Sequence, residues 1–234
     1  MARSTSPSAP ASRNAPSPVS QSIPGDVRDR LSPVVMEIYS AGDFHRADMR
    51  TIAREAGMSF RTIYRYFGDK ETLLFWFIQY WLEGLYPAVF KPLEGDADLK
   101  SKFLDVLTLH LEFYERNPNV GRIIFMTVPL ERWMRDPSFA QHDMMRRLLN
   151  AITQAQQQGE LRCDVDSRVI LDVFNAIFNR AFLVWEYRRR SYSLVAQAAP
   201  LMSILWGGIA AHQSVEPAVA APKKRASTRK PSAA

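Results

Sequence analysis

The chain has 234 residues, 47% of them hydrophobic, enough for one large globular domain or two small ones. Its single cysteine, Cys163, excludes an intrachain disulfide, and the polar, Pro/Ser-rich start holds no apolar run of the kind a secretory signal needs, so a cytoplasmic protein is expected. The formal charge of +6 lies in the ends: Arg3 and Arg13 on one side, Lys223, Lys224, Arg225, Arg229 and Lys230 against Glu216 on the other. Residues 25–212 are neutral, so overall basicity is no argument for nucleic acid.

Residues 1–24 lack a periodic apolar face and are expected to form a disordered Ser/Pro-rich tail. Beyond them the apolar spacing predicts an all-α chain of about nine helices and no alternating strand. Val27, Leu31, Val34, Val35 and Ile38 make one face, on which Pro33 predicts either a kink or a helix start at Ser32-Pro33. Short helices over 49–56 and 60–67 flank Gly57-Met58-Ser59, and a longer one over 70–86 stops before Pro87. The helix over 99–116 ends at Asn117-Pro118, a short segment covers 120–128, and a helix over 138–158 stops at Gly159. Helices over 167–190 and 194–212 complete the set. Residues 213–234 are expected to be a disordered basic tail, either solubilising or weakly attracted to phosphates.

At 100° per residue, Ile63 and Phe67 point one way, flanked by Phe60 and Tyr64, while Arg61, Thr62, Arg65 and Tyr66 cover the other side. Ile52, Ala53 and Ala56 on the preceding helix leave room for Ile63 and Phe67 to pack closely. Gly57 supplies the left-handed residue that ends one helix, and Ser59 the oxygen that caps the next. From Arg46 to Arg65, five arginines face Asp48 and Glu55, a local excess of +3 inside a neutral stretch. Wheel geometry fits either a solvated amphipathic pair or a reader whose second helix enters a major groove, with Arg61 and Arg65 on guanine edges or phosphates.

The stretch AGMSFRTIYRYFGDKETLL is similar to the DNA-binding segment of the TetR family of transcriptional regulators. The family pattern is met at Ile52-Ala53, Ala56-Gly57-Met58-Ser59, Thr62-Ile63-Tyr64, Tyr66-Phe67, Lys70-Glu71 and Leu73, and the likeness covers roughly residues 28–82. It implies a helix-turn-helix at about 48–67 that binds double-stranded operator DNA through Arg50, Ser59, Phe60, Arg61, Thr62, Tyr64, Arg65, Tyr66 and Lys70. In that scheme Tyr64, Tyr66 and Lys70 grip phosphates, and the helix that starts at Lys70 attracts one at its N-terminus. Three positions depart from the pattern: Gly42 precedes Asp43 where a glycine normally adjoins Phe44, Ala47-Asp48 replace a hydroxyl, leaving Asp48 to cap, and Phe60 replaces a polar residue.

The resemblance sets domains at 25–85 for DNA binding and 86–212 for effector binding and dimerisation, and it implies a homodimer joined through the last two helices. Helix 167–190 is apolar on two sides, Val169, Val173, Ile177 and Val184 on one, Ile170, Phe174, Phe178, Ala181 and Trp185 on the other, and so requires two neighbours. Residues 191–215 carry no Asp, Glu, Lys or Arg; a buried interface helix explains them better than a membrane span. His110, in step with Leu99, Phe103, Leu107 and Tyr114, is either hydrogen-bonded within the core or the anchor for the polar end of a hydrophobic small-molecule effector. Candidate effector residues are His110, Phe113, Phe125, Trp133, Phe174, Asn175, Phe178 and Asn179. No nucleophile motif, phosphate-binding glycine loop or metal-spaced His/Cys cluster is present, so no catalysis, cofactor or metal is expected. The expected function is a ligand-responsive repressor of a palindromic operator. The competing one is a DNA-binding dimer without ligand, which a fully packed second domain would favour.

Overall fold

The computed structural model describes residues 23–211 except 43, 46, 137, 138 and 140. The two tails, Asp43, Arg46, Ser138 and His212 therefore lie outside the described residues. Among those described there are eleven α-helices and no strand, one isolated bridge pairing Leu161 with Ala210.

Helix α1, Gly25–Ser40, buries Val27, Leu31, Val35 and Tyr39 at four-residue steps. It starts at Gly25 and runs through Pro33, which lies on the exposed side where its ring and missing N–H do least harm. Helices α2, Met49–Glu55, and α3, Phe60–Phe67, follow, then α4, Lys70–Leu82. Tyr39 Oη donates to the Lys70 carbonyl (3.2 Å) and Trp81 Nε1 to Ser32 Oγ (3.0 Å), so α1 holds α4 near both ends.

The helix expected over 70–86 breaks at Glu83-Gly84, and α5, Leu85–Glu94, begins at once. Pro87 falls in its first turn, where the lost N–H has no intrahelical partner anyway. Helix α6, Leu99–Arg116, is capped by Asp98, whose carboxylate accepts from Ser101 N (3.0 Å), and it packs on α5. The segment 120–128 resolves into α7, Pro118–Arg122, and a π-helical turn, Ile123–Thr127, closed by Val128 N to Ile123 O (2.8 Å). A further short helix, α8, Leu130–Arg135, precedes α9, Gln141–Gln157.

Helix α10, Ser167–Tyr187, lies against α6 and α9 through Ile170, Leu171, Phe174, Phe178, Phe182 and Trp185. Its other apolar edge is only partly covered by the described residues: Ile177 and Val184 are half-buried, but Val169 is 50% and Val173 44% exposed. After Tyr187 the chain turns through Arg189 and Arg190 at positive φ, and Arg190 Nε returns to Glu186 (2.6 Å). Helix α11, Ala198–Ile209, entered by a short 3-10 turn, Val195–Gln197, packs on α6 and α10. No helix among the described residues is long and apolar enough to cross a membrane.

Candidate DNA-reading face and effector cavity

The two short helices fold as their spacing dictates. Ile63 and Phe67 are fully buried, together with Ile52, Ala53 and Ala56. Gly57 takes φ +61 and Met58 N closes the turn on Ala53 O (2.8 Å). Ser59 Oγ accepts from Thr62 N (3.1 Å) and lies 2.7 Å from Thr62 Oγ1. Arg30 from α1 donates to the carbonyls of Ala56 (3.0 Å) and Gly57, setting a cation on the end of α2. Nothing in the local pattern of α2 and α3 points to that residue.

Outward from this packing stand Arg50, Phe60, Arg61, Tyr64 and Arg65. Tyr64 is 56% exposed and Phe60 40%, their rings 5.7 Å apart, with the Arg50 guanidinium 5.7 Å from the Phe60 ring. Arg65 donates to Tyr66 Oη (3.2 Å) and lies over that ring, while Tyr66 also packs on the core. Arg61 makes no ion pair or hydrogen bond among the described residues and is free to reach a groove. The departing turn is also accommodated, since Gly42 carries φ +95 one place before the usual position.

Three expectations fail on tertiary grounds. Lys70 is not a free cation, because Nζ donates to the carbonyls of Phe44 (3.0 Å), His45 (3.2 Å) and Ala47 (3.3 Å) and covers the Phe44 ring. The N-terminus of α4 is no phosphate cradle either, since the Asp69 carboxylate accepts from Glu71 N (2.9 Å) and Thr72 N (2.8 Å). Asp48 occupies the capping position of α2 but makes no side-chain bond there. Replacing Lys70 with Met is therefore expected to lower stability by about 1–2 kcal/mol in urea denaturation. The salt dependence of DNA binding should stay unchanged, because the ammonium is occupied elsewhere.

In the second half of the chain a cavity of about 900 Å³ opens between α4–α5, α6, α8, α9 and α10. Its walls include Leu82, Leu85, Tyr86, Tyr114, Ile124, Met126, Met134, Phe139, Met144 and Met145. Of the expected residues His110, Phe125, Trp133, Asn175, Phe178 and Asn179 line it. Phe113 and Phe174 do not. Phe113 is one residue off the His110–Tyr114 face and meets the edge of Tyr114 (5.3 Å), and Phe174 turns to Phe103 (5.2 Å) in the core. The polar edge of the cavity is a stripe on α10, Arg168, Asp172, Asn175 and Asn179, at spacings of four, three and four. That spacing was present in the sequence, but Arg168 and Asp172 were not singled out.

His110 Nδ1 lies 2.7 Å from the Val106 carbonyl, and its ring stacks on Phe178 at 4.9 Å. Burial pushes the imidazole down to about 4, so it is neutral at neutral pH. Arg132 on α8, between the cavity residues Leu130 and Trp133, forms an ion pair with Glu71 at the start of α4.

Residues 36–75 match the family model for bacterial regulatory proteins of the tetR family. That match covers the end of α1, both short helices and the start of α4, and over this stretch the chain is similar to TetR-family regulators. The fatty acid metabolism regulator protein of Bacillus subtilis is 22% identical over 180 residues, covering 74% of this chain and 91% of that one. Two solved structures share the fold: FadR of Bacillus halodurans, with a TM-score of 0.67 at 16% identity over 80% of this chain and 98% of that one, and FadR of Bacillus subtilis in complex with stearoyl-CoA, with 0.67 at 18% over 77% and 98%. In sequence and fold the chain is thus similar to transcriptional regulators.

Proposed function

We propose that this protein is a TetR-family regulator, a homodimeric repressor in the cytoplasm that is released from a palindromic operator when a largely hydrophobic small molecule fills its cavity. The DNA reader spans residues 25–85 and the effector and dimer domain 86–212. The observation that carries the reading is the position of the cavity. Leu82, Leu85 and Tyr86 form part of its wall at the joint where α4, the helix behind the reader, gives way to α5. A ligand with different affinities for two settings of that joint shifts their populations, and with them the separation of the two readers. A cavity of this size argues against a dimer that works without ligand. Acyl chains are the favoured class, because the walls are aromatic, aliphatic and methionine side chains and a relative of the same fold was solved with stearoyl-CoA.

Self-association is supported by the uncovered edge of α10 and by Ile204 on α11, 76% exposed beside the exposed Gly207 and Gly208. Footprinting on genomic fragments tests both halves together. The purified protein should protect an inverted repeat, and stearoyl-CoA but not free coenzyme A should abolish the protection. Ile204→Asp should sediment as a monomer and leave no footprint. A footprint without two-fold symmetry, or one indifferent to every acyl compound, would refute the reading.

A further inference from the structure

The cavity wall formed by α6 and α10 holds acceptors that lack donors. The Val106 carbonyl can only accept, so the His110 nitrogen 2.7 Å from it, Nδ1, must carry the proton. A 180° turn of the ring would keep the stack on Phe178 but forfeit the hydrogen bond to Val106. No carboxylate is hydrogen-bonded to it, so Nε2 presents a lone pair on a residue that lines the cavity. Close by on α10, one turn before Phe178, Asn175 gives Nδ2 to the Met145 sulfur (3.1 Å), while its Oδ1 is buried without a partner. Across the same cavity Trp133 Nε1, on a fully buried ring, is a donor without an acceptor.

We infer that the effector carries a hydrogen-bond donor, a hydroxyl or an amide N–H, on its apolar body, and that His110 Nε2 receives it. Carboxylates bring acceptors alone and would set lone pair against lone pair at this wall, and an acyl-CoA would meet it only through the amide N–H groups of its pantetheine arm. Hydroxyls and amides supply the donor and also an oxygen that the Trp133 N–H can use. The charged members of the stripe, Arg168 and Asp172, are exposed, and the neutral amide of Asn179 lies beside Phe178, so the His110 end of the cavity is uncharged. The inference rests on the cavity being the effector site and adds which chemistry it selects.

Matched probes separate the possibilities, with binding to the full-length protein followed by calorimetry. Decanol is compared with decyl methyl ether, N-methyldecanamide with N,N-dimethyldecanamide, and decanoic acid serves as the acceptor-only control. At least one pair should split by about tenfold in favour of the donor-bearing member, since a buried acceptor left without its partner costs on the order of 1–3 kcal/mol. A split confined to the alcohols assigns a hydroxyl, and one confined to the amides assigns an N–H. His110→Phe should erase the split and His110→Gln, which keeps an acceptor, should retain much of it. If both pairs bind evenly, if decanoic acid binds tightest, or if the split survives His110→Phe, the assignment is wrong while the apolar effector site stands. Should none of the five bind, the effector site itself falls.

Discussion

Alanine at Arg61 or Arg65 is expected to weaken operator binding by about 10- to 100-fold per residue, the range for an arginine that reads a base edge. Both side chains are exposed, so thermal stability should not change. Their surroundings differ, which makes the pair informative. Arg61 has no ion-pair or hydrogen-bond partner among the described residues, whereas Arg65 is steadied over the Tyr66 ring with Nη2 on its hydroxyl. An arginine on phosphate lowers the slope of log affinity against log salt by about one and acts alike on every sequence. One on a base leaves the slope and relaxes a single position of the site. Fluorescence anisotropy across a salt series separates the two roles. Binding unchanged in both variants would remove α3 from the groove.

The second large effect concerns packing. Gly121→Ala should destabilise the protein by about 1–3 kcal/mol, the usual cost of overfilling a tight core. A methyl group at Gly121 would lie 2.4 Å from Phe182 Cζ and 2.5 Å from Cε2. Phe182 cannot yield easily, since it is fully buried among Tyr114 (5.8 Å), Phe125 (5.3 Å) and Trp185 (5.8 Å). The helical preference of alanine over glycine, about 1 kcal/mol, opposes this cost without cancelling it. Phe182→Leu combined with Gly121→Ala should cost less than the two changes summed, because the smaller side chain vacates the colliding volume. Urea midpoints decide it: a Gly121→Ala protein as stable as the parent would mean that α7 and α10 separate freely.

The reader was legible because its rules are local. Ile63 and Phe67 are four residues apart on one helix, Gly57 and Ser59 sit at its turn, and all four do what their types permit there. Local rules misled where a distant partner competed. Lys70 reads as a free cation until the carbonyls of Phe44, His45 and Ala47 arrive from another turn, whereas the Asp69 cap that takes the first amides of α4 is itself a local feature. Helix α5 escaped notice because Pro87 signals a stop and a first turn equally well, and α8 because six residues carry too little periodicity. In the body, apolar spacing marks Phe113, Phe174 and Phe178 as inward but not whether inward means core or cavity. That distinction depends on which neighbouring helix each side chain meets.

The bonds at the start of α4 have a mechanical consequence. Lys70 Nζ fastens that helix to the loop before α2, Tyr39 fastens it to α1, and Arg132 holds Glu71. The first two bonds oppose rotation of α4 against α1 and the loop before α2, while the third ties its start to α8. The compliant point is at the other end, at Glu83-Gly84, where both residues are exposed and a side chain on Gly84 would meet nothing within 4 Å. That joint adjoins Leu82 and Leu85, so under the proposed mechanism a guest molecule pressing on those two leucines would work on the short arm of a crank whose long arm ends at α3.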